Sequence, residues 1–225
     1  MLERETGTRG PSVKFCGLTR AEDAAFAAEL GAAYVGVIFA GGPRLLTENR
    51  AAEVLSEVPR DVGRVGVFSD QSPSEIARIA RRLSLRAVQL YAASDRSRVA
   101  EIRKAVEAEV WPVIRISGND LPFEAADIIA DSDVLFLDSY VPGSLGGSGV
   151  SFDWSALATR VQWLRRGKRV VLAGGLQPTN LSKAIAAIGP DVVDVSSGVE
   201  SAPGIKDHGR MRQFRDAAAQ GSAST

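Results

Sequence analysis

Residues 13–23 read VKFCGLTRAED. Four residues of strand character, Val13 to Cys16, run into Gly17, and an alanine-rich helical pattern opens a few residues later. A doubly wound open sheet tends to carry G-x-G-x-x-G at its first strand-to-helix turn. This turn has one glycine and no such fingerprint. The pattern beyond it therefore decides between an open sheet and a closed barrel.

Outward from this turn, short β-rich runs recur: YVGVIF (34–39), RVGVF (64–68), AVQLY (87–91), VWPVIRI (110–116), DVLFLD (133–138), RVVLA (169–173) and VVDVS (192–196). Their near-continuous Val, Ile and Phe content suits parallel strands covered on both faces. Helical patterns lie between them. RAEDAAFAAELG ends at Gly31, a C-terminal cap. SPSEIARIARRL starts at Ser72-Pro73 and places Ile76, Ile79 and Leu83 on one face. SRVAEIRKAVEAE, TNLSKAIAAIG and the stretch 207–219 follow suit, whereas the segments after strands 2 and 6 are indistinct. Counting VKFC, there are eight β-α alternations, which predict a single-domain α/β fold, a (β/α)8 TIM barrel over residues 13–219. Residues 1–12 are expected to form a mobile N-terminal extension and residues 220–225 a disordered tail.

Composition narrows the function. The 225 residues balance 27 Lys+Arg against 27 Asp+Glu, so nothing favours nucleic acid or an anionic membrane, and any anion site must be local. The single cysteine, Cys16, excludes an intrachain disulfide. No apolar run approaches the ~20 residues of a membrane span, and the polar N-terminus lacks a signal core, so a soluble cytoplasmic protein is expected. The few His, Cys and clustered carboxylates give no metal site.

In a barrel, reacting groups sit at the C-terminal ends of strands and in the loops that follow. The polar residues there are Cys16, Asp138 and Asp194. The loops add Arg44, Gly146-Gly147-Ser148-Gly149, Gly174-Gly175 and Ser196-Ser197-Gly198. Barrels frequently bind phosphate between the loops after strands 7 and 8, where small residues let backbone N–H groups approach the anion. These small residues also suit ordinary turns. Alternation puts Val192, Asp194 and Ser196 on one face of strand 8. An inward carboxylate there must be paired or neutralised, for structure or for chemistry. Cys16 reads as a core hydrophobe or as a base beside a ligand, and Lys14, on the same face, is positioned to favour its thiolate. Asp138 reads as a turn residue or as a general acid whose pKa an apolar rim would raise. His208 is expected on the surface, and the run 165–169, RRGKR, as a solvated face.

The chain resembles the phosphoribosylanthranilate isomerase family from Val13 to about Ala218. The resemblance rests on VKFCG (13–17), AEDA with ELGA (21–32), PR (43–44), VQL (88–90), FLD (136–138), GGSG with FDW (146–154), LAGGLQPTN (172–180), and VDVSSGVE with PGIKDH (193–208). It implies a barrel fold and an Amadori rearrangement of N-(5-phosphoribosyl)anthranilate in tryptophan biosynthesis, with no cofactor. By the same resemblance Cys16 is the general base and Asp138 the general acid. Arg44 meets the anthranilate carboxylate, Asp194 hydrogen-bonds the substrate, and Gly174, Gly175, Ser196, Ser197 and Gly198 cradle the phosphate. The partner implied is a small phosphorylated substrate, and the chain a monomer or homodimer.

Three residues depart from the family pattern. Tyr91-Ala92 stands where His-Gly is usual, and Gly42 replaces a serine before Pro43. Competing readings are a sister phosphosugar isomerase on the same barrel, against which Cys16 argues, a sister synthase, whose lysine-centred acid set is not found at the strand ends, and a non-catalytic phosphosugar-binding barrel, which would need neither Cys16 nor Asp138.

Overall fold

The computed structural model describes residues 10–91, 95–118, 120–139 and 153–221. Most of the expected extension, the last four residues of the tail, Ala92 and the glycine-rich loop 146–149 lie outside the described residues.

Eight parallel strands close into a barrel in chain order. They are β1 (Ser12–Phe15), β2 (Tyr34–Ile38), β3 (Gly63–Phe68), β4 (Ala87–Leu90), β5 (Glu109–Ile116), β6 (Val134–Ser139), β7 (Arg169–Leu172) and β8 (Val192–Val195). Every strand lies within a residue of its sequence assignment, because β-branched runs bounded by turn residues mark buried strands well. The predicted closure holds and the open sheet is excluded: β1 pairs β8, with Lys14 opposite Asp194.

Among the described residues, eight α-helices cover the outside: α1 (Ala21–Glu29), α2 (Glu48–Val54), α3 (Pro73–Leu83), α4 (Arg96–Ala105), α5 (Ala125–Ile128), α6 (Trp154–Arg165), α7 (Leu181–Ile188) and α8 (His208–Gln220). The Ser72 hydroxyl accepts the Glu75 N–H at the start of α3, a cap that offsets one unpaired donor of the first turn. Thr47 and Asp153 do the same for α2 and α6. The two indistinct segments thus hold helices. α2 is only seven residues long, too short for a clear helical period.

Alternation along the strands builds two cores. Outward residues such as Phe15, Val35, Leu137 and Val193 pack under the helices with Phe214 and Leu157. Inward residues, among them Val65, Val67, Trp111, Phe136 and Val171, fill the barrel. The interior is a packed core whose upper rim alone stays open.

One surface assignment needs correction. Residues 165–169 are not simply a solvated face. Arg169 opens β7, and its guanidinium enters the barrel floor, donating to the Tyr34 hydroxyl and Glu109. Arg165 pairs with Asp191, and Lys168 donates to the Ser132 carbonyl. His208 is at the surface as expected, its side chain 42% exposed, and there it stacks on Phe26 and meets the buried Asp23 carboxylate at 2.9 Å. After β8 the chain makes a short 3₁₀ turn (Ser197–Val199) and an antiparallel hairpin, β9 (Glu200–Ala202) and β10 (Ile205–Lys206), that the sequence pattern did not announce.

Candidate active site

Cys16, Arg44, Asp138, Gly174, Gly175, Asp194, Ser196, Ser197 and Gly198 all line one cleft at the C-terminal ends of the strands. The cleft also takes in Ile38, Val67, Gln89 and Tyr91.

Cys16 stands at the head of β1, where its backbone N–H donates to Val195. Its thiol has room because β2 carries glycine opposite it. A Cβ on Gly36 would lie 2.9 Å from the Cys16 Sγ. Below it, Lys14 is fully buried, and its ammonium donates to Gln89 Oε1 at 3.0 Å and Asp194 Oδ1 at 2.9 Å. Asp194 is thus the paired inward carboxylate that strand parity requires. Burial opposes the charge on Lys14, but the Asp194 carboxylate and the Cys16 thiolate outweigh it and hold its pKa above the ordinary value.

The expected depression of the Cys16 pKa does not result. Lys14 does pull the thiol down, as its placement suggested. Burial is the larger effect and Asp194 adds to it, so the thiol lies above its ordinary value.

Asp138 is buried at the end of β6, opposite Arg115 of β5 in register. Burial, with Asp194 nearby, raises its pKa to about 7, against the lowering effects of the Ser139 N–H, Arg115 and Lys14. A carboxyl that titrates near neutrality holds and releases a proton with equal ease, as a general acid requires.

Arg44 reaches over Gly17 to a fork with Glu200. Nε lies 2.8 Å from Oε1 and Nη2 2.6 Å from Oε2. Gly17 has φ +69°, and a Cβ there would come within 2.6 Å of the Arg44 side chain and 2.8 Å of Ser196 Oγ. Only glycine meets both demands. Glu200 also binds the buried Lys206 ammonium at 2.8 Å, and Lys206 donates to the Ser196 carbonyl at 3.1 Å. One network of charges therefore connects Arg44 to the loop after β8.

The two loops that offer small residues come together. A Cβ on Gly198 would lie 2.0 Å from the Leu176 carbonyl oxygen, and one on Gly174 2.4 Å from the Ser139 nitrogen. The loops after β7 and β8 are in contact because neither carries side chains there. Ser196 Oγ is buried and has no hydrogen-bond partner among the described residues. With Lys206 beneath it, this surface suits an anion.

Four contributors escaped the sequence reading. Gln89 was findable, since the parity that singled out Asp194 puts Ala87, Gln89 and Tyr91 inward on β4. Glu200 closes the SSGVE motif and was quoted without a role. Lys206 enters only through the hairpin, and Arg115 looked like one more charge on a strand; neither left a local signal. Among the described residues, no three His, Cys, Asp or Glu side chains cluster as a metal site, and no helix is long and apolar enough to cross a membrane.

A parallel eight-stranded barrel, with a thiol, a near-neutral carboxyl, a forked arginine and an anion-ready pair of loops on one rim, defines a barrel suited to acid–base chemistry on a phosphorylated small molecule. The family is identified by comparison. A family model for N-(5'-phosphoribosyl)anthranilate isomerase matches residues 13–217. The isomerase of Paramagnetospirillum magneticum is 40% identical, across 93% of this chain and 97% of that protein. The crystal structure of the phosphoribosyl anthranilate isomerase from Thermotoga maritima superposes with a TM-score of 0.83 at 34% identity, across 92% of this chain and 98% of that one. A structure of such an isomerase in complex with reduced 1-(o-carboxyphenylamino)-1-deoxyribulose 5-phosphate gives 0.79 at 32% identity, with the same coverage. The chain belongs to the N-(5'-phosphoribosyl)anthranilate isomerase family.

Proposed function

We propose that Cys16 is the general base and Asp138 the general acid of the phosphoribosylanthranilate isomerase reaction in this chain, a step of tryptophan biosynthesis. The activity itself follows from family membership. The observation that best supports the roles is the placement of both groups on one rim, with Asp138 titrating near about 7.

The reaction begins with Asp138 handing its proton to the furanose ring oxygen as that oxygen leaves C1. The C1–O bond breaks, its electrons stay on oxygen, and the nitrogen lone pair forms a C1=N iminium. Cys16 as thiolate then removes the C2 proton. The C–H electrons become a C1=C2 bond, and the C=N pair returns to nitrogen. The enolamine loses its hydroxyl proton and gains one at C1, which gives the ketone. The iminium supplies the acidity of the C2–H bond, so this reading calls for no metal or organic cofactor. Each positioned proton transfer contributes about 10²–10⁴-fold.

In the same reading, Arg44 binds the anthranilate carboxylate and Asp194 a substrate hydroxyl. Gly174, Gly175, Ser196, Ser197 and Gly198 hold the phosphate. A cytoplasmic setting, and a monomer or homodimer, complete it. The test is the fluorescence of freshly made phosphoribosylanthranilate. The purified chain should remove the signal and form the ketose phosphate stoichiometrically. A folded chain that leaves the signal unchanged overturns the reading in favour of a binding barrel or a sister phosphosugar enzyme.

A further inference from the structure

We propose that Tyr91 is a further catalytic residue: its phenol donates a hydrogen bond to the sugar ring oxygen as that oxygen leaves C1. The inference rests on the acid–base reading above and extends it to a residue with no role there.

Tyr91 directly follows β4 and lines the cleft with Cys16 and Asp138. The residue is 5% exposed, and its hydroxyl is buried with no hydrogen-bond partner among the described residues. Buried hydroxyls are almost always partnered, and an unpartnered one at a site calls for a functional explanation. The ring is held in place, because the Arg115 guanidinium lies 4.9 Å from its centroid. Burial, with the Asp138 charge close by, raises the phenol pKa to about 12. At any working pH it is a neutral O–H donor.

Topology says which substrate atom lies nearest. In the closed order β1 to β8, β4 stands across the barrel from β8. The phosphate loops follow β7 and β8, so Tyr91 faces away from the phosphate end. Arg44, assigned to the carboxylate, follows β2. Asp138, which protonates the ring oxygen, lines the same cleft and lies close enough for its charge to act on the Tyr91 phenol. An ether oxygen has two lone pairs. One takes the proton from Asp138, and the other can accept the Tyr91 hydrogen bond, while Tyr91 keeps its own proton throughout. C1–O cleavage runs ahead of proton transfer, so electron density builds on the leaving oxygen before the Asp138 proton has fully arrived, and the hydrogen bond lowers the barrier more than it aids binding.

The experiment compares the parent chain with Tyr91→Phe and Tyr91→His in the fluorescence assay, together with the melting temperature of each. Tyr91→Phe should lower kcat at least about tenfold with KM changed by less than about threefold. It should melt no lower than the parent, since the phenyl ring keeps the packing and removes an unpartnered hydroxyl. Tyr91→His, which restores an N–H donor, should recover most of the loss. An active parent whose Tyr91→Phe variant keeps full kcat overturns the proposal alone, as does a loss confined to KM. A matched loss in both variants with lowered melting points to packing and also overturns it. An inactive but folded parent overturns the acid–base reading, and the proposal with it.

Discussion

Arg44 and Glu200 are joined by two parallel hydrogen bonds, 2.8 and 2.6 Å long, that bridge the loop after β2 and the strand after β8. Glu200 raises the Arg44 pKa above its ordinary value, chiefly through these bonds. The fork fixes the guanidinium plane before any ligand arrives, and planar geometry is what a lysine cannot reproduce. Arg44→Lys should therefore raise KM about tenfold or more and leave kcat within about threefold. The variant should also melt lower, because Glu200 keeps only Lys206 as a full partner. Steady-state kinetics with calorimetry checks both, and an unchanged KM would contradict the assigned role.

Lys14 gives the second prediction. It is the buried cation nearest Cys16 and Asp194, and its charge lowers the thiol pKa against the larger effect of burial. Lys14→Met should move the thiol pKa further up. It should also destabilise the fold by about 3–5 kcal/mol, since Asp194 is left buried and unpaired. The thiol is titrated by its thiolate absorbance, with circular dichroism as a check on folding. A thiol pKa that does not change would remove Lys14 from the account.

The pH dependence of turnover follows from the order of the two ionisations. Asp138 loses its proton near about 7, and Cys16 only above its ordinary value. The reactive form holds them the other way round, with Asp138 protonated and Cys16 a thiolate. That form is a tautomer of the site carrying one proton, in fixed ratio to the major one. Turnover therefore tracks the singly protonated population. The kcat/KM profile should rise as pH climbs through about 7 and fall only above the Cys16 value. A profile that already falls through 7 would show that the two protons leave in the opposite order.

Strand existence and parity were legible because both are local. Eight apolar runs and a period of two place Cys16, Asp138 and Asp194 at inward rim positions without any tertiary knowledge. That the small-residue loops after β7 and β8 lie together on the rim was legible from barrel order alone. The sign of the Cys16 shift was not, because it depends on how far burial outweighs a single lysine, and burial is a property of the closed barrel. Glu200 and Lys206 reach the site through a small hairpin held by tertiary contacts, and their side chains carry no periodic signal. Arg169 looked like part of a basic surface run because its partners, Tyr34 and Glu109, lie 135 and 60 residues away in the chain.

Stability should carry the imprint of Asp138. Its folded pKa of about 7 exceeds the ordinary 3.8. Between those values the unfolded chain is ionised at this residue while the folded one still holds its proton. Folding stability from this group is therefore full below about 4 and lost as pH rises through about 7. At about 1.4 kcal/mol for each pKa unit, the loss is at most about 4 kcal/mol. Asp138→Asn, which cannot ionise, should melt above the parent at pH ~8, and the gap should close towards pH ~4. Melting curves across that range decide it. A variant that melts lower at the alkaline end would mean that the carboxylate is well solvated or paired.

The assignment of Cys16 and Asp138 is tested most directly by single-turnover kinetics. Cys16→Ser and Asp138→Asn are each mixed in excess with phosphoribosylanthranilate, and binding and decay are followed separately. Both variants should bind the substrate within about threefold of the parent and convert it at least about a hundredfold more slowly. Near-parental conversion by Cys16→Ser or by Asp138→Asn would contradict the role given to that residue.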